Sequence, residues 1–265
     1  MPVDITKEIR KYIPIFQQAK DQCINEAETS LRVGKFLEEV LGYDVFSDIT
    51  KEYTVKERYV DYAIKMNGKV AFFIEIKQAG LELREKHIEQ AANYAANAGV
   101  SWVALTNGSA WQLYHLTFDD GIQSDLIITA DLFSEDIKVA ADKISYLHKK
   151  SILKGEHEDY YAKVKALSPK SIMQAIFQEN TLKTIRLHLK RTSGISVDEQ
   201  AIVNGIKAML SAEAWDLIGD VKIKRKRKVQ KMQEQPSAAS MEDTSLPTTE
   251  ATEKTTDFTN TEDEK

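Results

Sequence analysis

Asp61, Glu75 and Lys77 interrupt an otherwise apolar stretch, "VDYAIKMNGKVAFFIEIK", at positions 60–77. The stretch reads as two strands around Asn67-Gly68, a dipeptide suited to tight hairpin turns. Two carboxylates and an ammonium inside such a hairpin are costly unless they meet one another or a cation. Side chains alternate faces along a strand, so Glu75 and Lys77 share a face with Ala71 and Phe73, while Asp61 goes with Ala63 and Lys65. Whether Asp61 joins the Glu75 face depends on the turn. A two-residue loop pairs 66 with 69 and sets Asp61 opposite Ile74, on the wrong side. A three-residue loop, with Gly68 left-handed as a bulge, pairs 65 with 69 and sets Asp61 opposite Phe73. A chemical role for the cluster therefore calls for the longer turn.

A third acid stands upstream. On a helix advancing 100° per residue, Val33, Phe36, Leu37, Val40 and Leu41 define one apolar arc, and Glu26 projects into its centre while Glu28 points away. Three acids and a lysine from one helix and two strands can then converge. Such a set suits a hard divalent cation such as Mg²⁺, which takes a few carboxylate oxygens and completes its shell with water and substrate phosphate. Lys77 beside that ion could orient or deprotonate an attacking water and offset charge on a pentavalent transition state. The plain alternative is a surface ion pair on a sheet edge, with Glu26 a partly exposed helix residue.

The elements that must position these residues follow from periodicity. Residues 22–41 have helical spacing and end at Gly42, a suitable C-terminal cap. Strands follow near 51–56, 58–66 and 70–77, then a helix over about 82–98. "SWVALTN" and "AWQLYHL" form a second strand pair around Asn107-Gly108. The order αβββαββ is that of an α/β domain. Trp102, Trp111 and Tyr114 read as sheet core rather than a base-stacking platform. His87 and His115 stand alone and receive no ligand role. Residues 170–219 carry apolar residues three and four apart, hence amphipathic helices, and Ser196 with Glu199 has capping-box spacing for the start of one.

Taken together, Asp61, Glu75-Ile76-Lys77 and a preceding acidic helix resemble the PD-(D/E)XK nuclease motif. "NEAETSLRVGKFLEEVLGYD" (25–44), "RYVDYAI" (58–64), "FIEIK" (73–77), "EQAANYA" (89–95) and "ALTNGSAWQLY" (104–114) occur in an order similar to that of the N-terminal nuclease domain of type I restriction enzyme restriction subunits. The resemblance covers about residues 1–135. It implies a restriction-endonuclease-like core, a mixed central sheet flanked by helices, and Mg²⁺-dependent cleavage of DNA phosphodiesters with Mn²⁺ as a substitute. Asp61 and Glu75 become metal ligands, Lys77 the catalytic lysine and Glu26 a supporting carboxylate. Gln90 and Tyr94 look like the family's QxxxY motif, at i,i+4 on one helix face, and would position the site or contact the DNA backbone. Val60 stands where the motif name has proline. No G-x-x-x-x-G-K-[ST] loop is present, so no ATP site and no helicase motor are expected, and any restriction-modification or motor subunits would be separate chains.

Composition bounds the rest. The 265 residues are 42% hydrophobic, enough for one or two cored domains. One cysteine, Cys23, excludes an internal disulfide and thiolate zinc sites. With no signal-like N-terminus and no apolar run of membrane-spanning length, the expectation is a soluble cytoplasmic protein. The net charge of -5 hides segregation: residues 221–231 hold seven basic residues and no acid, whereas residues 232–265 hold nine acidic and two basic residues. The basic segment could grip phosphates or act as a solvated linker balancing the tail. The Ser/Thr/Pro/Glu-rich tail cannot bury enough surface to offset its ordering entropy and is expected to be disordered. The organisation expected is therefore a nuclease-like domain (1–135), a helical region (136–220), a basic segment (221–231) and an acidic tail (232–265). The function expected is a metal-dependent DNA endonuclease; the alternative is a catalytically silent module of the same fold that binds DNA or a partner protein.

Overall fold

The computed structural model describes residues 3–55 and 58–218, so the basic segment and the acidic tail lie outside the described residues. The chain is α/β, with a mixed six-stranded sheet of β1 (Ile49–Val55), β2 (Arg58–Met66), β3 (Lys69–Ile76), β4 (Trp102–Thr106), β5 (Ala110–Thr117) and β6 (Gln123–Asp131). The spatial order follows the sequence order, β1 through β6. Only the β3–β4 pair is parallel, and a parallel pair needs a crossover. Helix α3 (Glu89–Ala98) supplies it, ending at Gly99 with φ of 67°. One face of the sheet packs on α1 (Thr6–Asp21), α2 (Glu26–Glu39) and α4 (Ile137–Ile144), where Phe36 stacks on Trp111 at 5.2 Å between ring centres. The other face packs on α3 through Phe73, Ala91, Tyr94 and Val103. Trp102, Trp111 and Tyr114 are all buried core.

Two elements went unread in the sequence. Helix α1 has buried residues Ile9, Tyr12, Phe16 and Ala19 at helical spacing, but Pro14 sits inside it. Proline normally argues against a helix interior, and here the packed face outweighs that cost. Strand β6 buries only Ile128 and Ala130 along its length, too little alternation for a strand signal. The crossover helix is also shorter than expected: residues 85–87 form a 3₁₀ turn ahead of α3.

Helix α2 starts four residues later than periodicity suggests, because Asn25 caps it: its side chain accepts a hydrogen bond from Glu28 N at 2.9 Å. An Asn at this position satisfies an amide that has no partner within the helix. We expect Asn25→Ala to cost about 1 kcal/mol in urea unfolding, as N-cap deletions do. A second boundary differs for the same reason. The helix α9 (Glu199–Ala208) is capped by Asp198, which accepts from Ala201 N at 2.7 Å, and not by Ser196. A carboxylate at the positive end of a helix holds that amide better than a hydroxyl two residues away.

Beyond the sheet the chain is helical, with α5 (Lys149–Leu153), α6 (Glu156–Ala166), α7 (Pro169–Ile176), α8 (Glu179–Ser193), α9 and α10 (Ala212–Ile218). A separate apolar cluster, built on Met173, Phe177, Leu182, Ile202 and Val203, holds α7 to α9. No described helix is long and apolar enough to cross a membrane.

Candidate active site

The β2–β3 hairpin solves the register problem by a route that neither turn expected from the sequence supplies. Asn67 and Gly68 both have left-handed φ, 52° and 77°, so the loop has two residues and pairs Met66 with Lys69. The ladder then slips by one: Lys65 pairs with Val70, but Ile64 pairs with Phe72, leaving Ala71 as an extra residue. Beyond this bulge Ala63 faces Phe73 and Tyr62 faces Ile74, a register that gives Asp61 the same face of the sheet as Phe73 and Glu75. A bulge inside the strand, not a longer turn, thus puts both carboxylates on one face. On β1 the ladder skips Glu52, which would lie across from Asp61 and instead has φ of 52°. Like charges directly opposite are unfavourable, and the left-handed kink takes Glu52 out of that pairing.

Asp61 Oδ2 accepts a hydrogen bond from Ile76 N at 2.7 Å. Lys77 Nζ donates to Glu75 Oε1 at 2.6 Å, and Lys77 N donates to Thr106 O at 2.8 Å, so the parallel strand β4 anchors the lysine's backbone. Glu26 Oε2 lies 3.9 Å from Lys77 Nζ. The site therefore sits where β3 and β4 end side by side, a common place for ligand sites in α/β sheets.

The position of Glu26 corrects one expectation. Its side chain is 51% exposed, whereas that of Glu75 is 6% exposed. Glu26 occupies the first turn of α2, ahead of the packed stretch that starts at Thr29, so it reaches out of the apolar arc and toward Lys77. Among the described residues, no three His, Cys, Asp or Glu side chains converge closely enough to hold a metal ion by themselves. Asp61 and Glu75 are the more buried carboxylates of the cluster, while Glu26 reaches to 3.9 Å from Lys77 Nζ.

Electrostatics mark the pair as crowded. Burial pushes the Glu75 carboxyl up to about 7; its hydrogen bond from Lys77 pulls the other way, and Asp61 and Glu26 add to the rise. Asp61 is raised too, chiefly by burial, against the Ile76 N–H that lowers it. Lys77 is raised: burial disfavours its charge, but the bond to Glu75 and the neighbouring carboxylates outweigh that. Burial thus disfavours negative charge on both carboxyls, and hard oxygen donors held this way fit a divalent cation.

Gln90 Nε2 donates to Tyr94 OH at 2.9 Å, so the two residues expected to act together on α3 are joined. Tyr94 is buried under α3 with Phe73, on the sheet face that carries Glu75, while Gln90 is exposed. Sequence reasoning missed a support at the neighbouring position, Tyr62. Its hydroxyl donates to Ser30 O at 3.0 Å and accepts from Ser30 Oγ at 3.2 Å, tying β2 to α2 one residue from Asp61. Gly34 makes room for it, since a Cβ there would lie 2.8 Å from the Tyr62 hydroxyl. A glycine in an amphipathic helix, seven residues before Leu41, was the available signal.

Residues 32–126 match the family described as the type I restriction enzyme R protein N terminus. This chain is similar to that family. The R-protein match spans Asp61, Glu75, Lys77, Gln90 and Tyr94 and begins six residues beyond Glu26. It bears out the resemblance read from the motifs. Among solved structures, the type IIG restriction endonuclease BpuSI aligns over 66% of this chain and 23% of its own length, with 16% identity and a TM-score of 0.38. The chain thus spans less than a quarter of that enzyme. No curated protein matches it.

Proposed function

We propose that this chain is a divalent-metal-dependent DNA endonuclease, related to the R-protein N terminus. The observation that carries the proposal is the bulged hairpin, whose register gives Asp61 and Glu75 one face, with Lys77 hydrogen-bonded to Glu75. Asp61 and Glu75 would hold Mg²⁺, or Mn²⁺ in its place, through their carboxylate oxygens. The bound ion supplies Lewis-acid activation of the phosphodiester and of water.

The remaining roles belong to the chain's own side chains. Ile76 N fixes one Asp61 oxygen and so sets the direction of the other. Lys77, held charged by Glu75, orients the attacking water and stabilises negative charge as the phosphate becomes five-coordinate. Lys77 would accept a proton from that water only in its neutral form, having first given its own to solvent. Glu26 faces Lys77 from the open side, where it can accept a hydrogen bond from water. Gln90 and Tyr94, joined on α3, would position the site or contact the DNA backbone. DNA is the partner this assigns, with separate restriction-modification subunits as further ones.

The deciding experiment is incubation of linear, supercoiled and single-stranded DNA with purified protein in Mg²⁺, Mn²⁺ or EDTA, with Asp61→Ala in parallel. Cutting is expected with either metal, none with EDTA and none by the variant. DNA bound but uncut under every condition would make the chain a binding module of the same fold.

A further inference from the structure

The stitching of α2 to the chain just after Lys77 assigns a role to a residue outside the cluster of Glu26, Asp61, Glu75 and Lys77. Thr29 is fully buried, in the second turn of α2. Its Oγ1 donates to Asn25 O at 2.8 Å and accepts from Ala79 N at 3.0 Å. One hydroxyl thus bridges the cap of the helix, one residue before Glu26, to the backbone two residues after Lys77. Gln78 Nε2 adds a second stitch, donating to Cys23 O at 3.2 Å in the loop before that cap. These contacts hold the α2 N-terminus beside the end of β3, where the half-exposed Glu26 side chain brings Oε2 to 3.9 Å from Lys77 Nζ.

We propose that Thr29 is a positioning residue: its hydroxyl sets the register of the α2 N-terminus against the end of β3, and through it the distance between Glu26 and Lys77. The inference rests on the nuclease reading of the site. Without the hydroxyl, Ala79 N loses its buried acceptor and both segments are free to shift. A displacement of about 1 Å at a catalytic group costs on the order of 10²-fold in rate.

The test is a double-mutant cycle on metal-dependent DNA cutting under single-turnover conditions, with Thr29→Val, Glu26→Gln and the double variant. Valine keeps the shape and removes both hydrogen bonds; Thr29→Ser keeps the hydroxyl and serves if the valine variant folds poorly. Thr29→Val is expected to lower the rate at saturating DNA by roughly 10- to 100-fold with DNA affinity unchanged. The double variant is expected to match Glu26→Gln alone, and Thr29→Ser to recover the wild-type rate within about threefold. Losses that multiply in the double variant, or a serine variant as slow as valine, would overturn the inference while wild-type cutting keeps the nuclease reading in place. Failure of the wild type to cut removes that reading, and the inference with it.

Discussion

Lys77→Ala is expected to lower the single-turnover rate of DNA cutting by about 10²- to 10⁴-fold, the usual range for loss of a positioned proton-transfer group. Affinity for DNA, measured by anisotropy with Ca²⁺ in place of Mg²⁺, should stay within a few-fold of wild type. Removing one partner of a buried ion pair normally destabilises a fold by leaving the other charge alone. Here the partner, Glu75, already titrates near 7 with its lysine present. Without Lys77 it takes up a proton at neutral pH instead of standing as a buried anion, which spares most of the cost. Thermal unfolding of the variant should therefore remain cooperative, with only a modest drop in midpoint. A variant that is folded, binds DNA and is inert ties the lysine to the chemical step. Cutting at the wild-type rate would show that the strand end at Lys77 is not the site.

How much of this was legible in the sequence depended on what kind of physical constraint each residue obeys. Strands β2 to β5 announce themselves because their apolar residues are dense and β-branched or aromatic, and their turns use Asn-Gly pairs. The carboxylate pair stood out because acids within such a run are expensive. What could not be read was the register. Ala71 becomes the bulge, and nothing about alanine at that position sets it apart from its neighbours; the choice is made by tertiary packing, with Tyr62, Ile64, Phe72 and Ile74 buried on one face and Ala63 and Phe73 on the other. Glu26 shows the converse failure. Angular phasing placed it in the apolar arc, but phase along a helix says nothing of depth, and its first-turn position leaves it beyond the edge of the packed surface. Thr29 was invisible for a third reason: a single hydroxyl bridging two backbones at a distance of fifty residues leaves no trace in local spacing.

Glu75 makes stability itself a readout of the site. Its carboxyl binds a proton more tightly when folded, near 7, than at its ordinary 4.5, so the native state holds the extra proton and the unfolded state does not. Stability from this group is full below about 4.5 and is lost as pH rises through 7. The span corresponds to roughly 3 kcal/mol at 1.36 kcal/mol per unit. Asp61, raised as well, acts in the same direction. Lys77 does not offset the loss, because a raised lysine changes charge only above its ordinary range near 10.5. Carboxylates held low elsewhere, such as Asp48 beside Lys149, work in the opposite sense at acid pH, so the useful quantity is a difference. Glu75→Gln removes the titration, and its stability relative to wild type should improve by roughly 3 kcal/mol between pH 4.5 and 8, about 6–12 °C in melting midpoint for a domain of this size. Divalent metal should reverse the wild-type loss: at pH 8, Mg²⁺ at a hundred times its dissociation constant adds about 2.7 kcal/mol to wild type and nothing to Glu75→Gln. At pH 5 the same Mg²⁺ should do little for either, since the ligand is protonated. A wild-type-to-variant difference that stays flat across this pH range would mean that Glu75 is an ordinary carboxylate. The crowding that makes the pair fit a cation would then be absent.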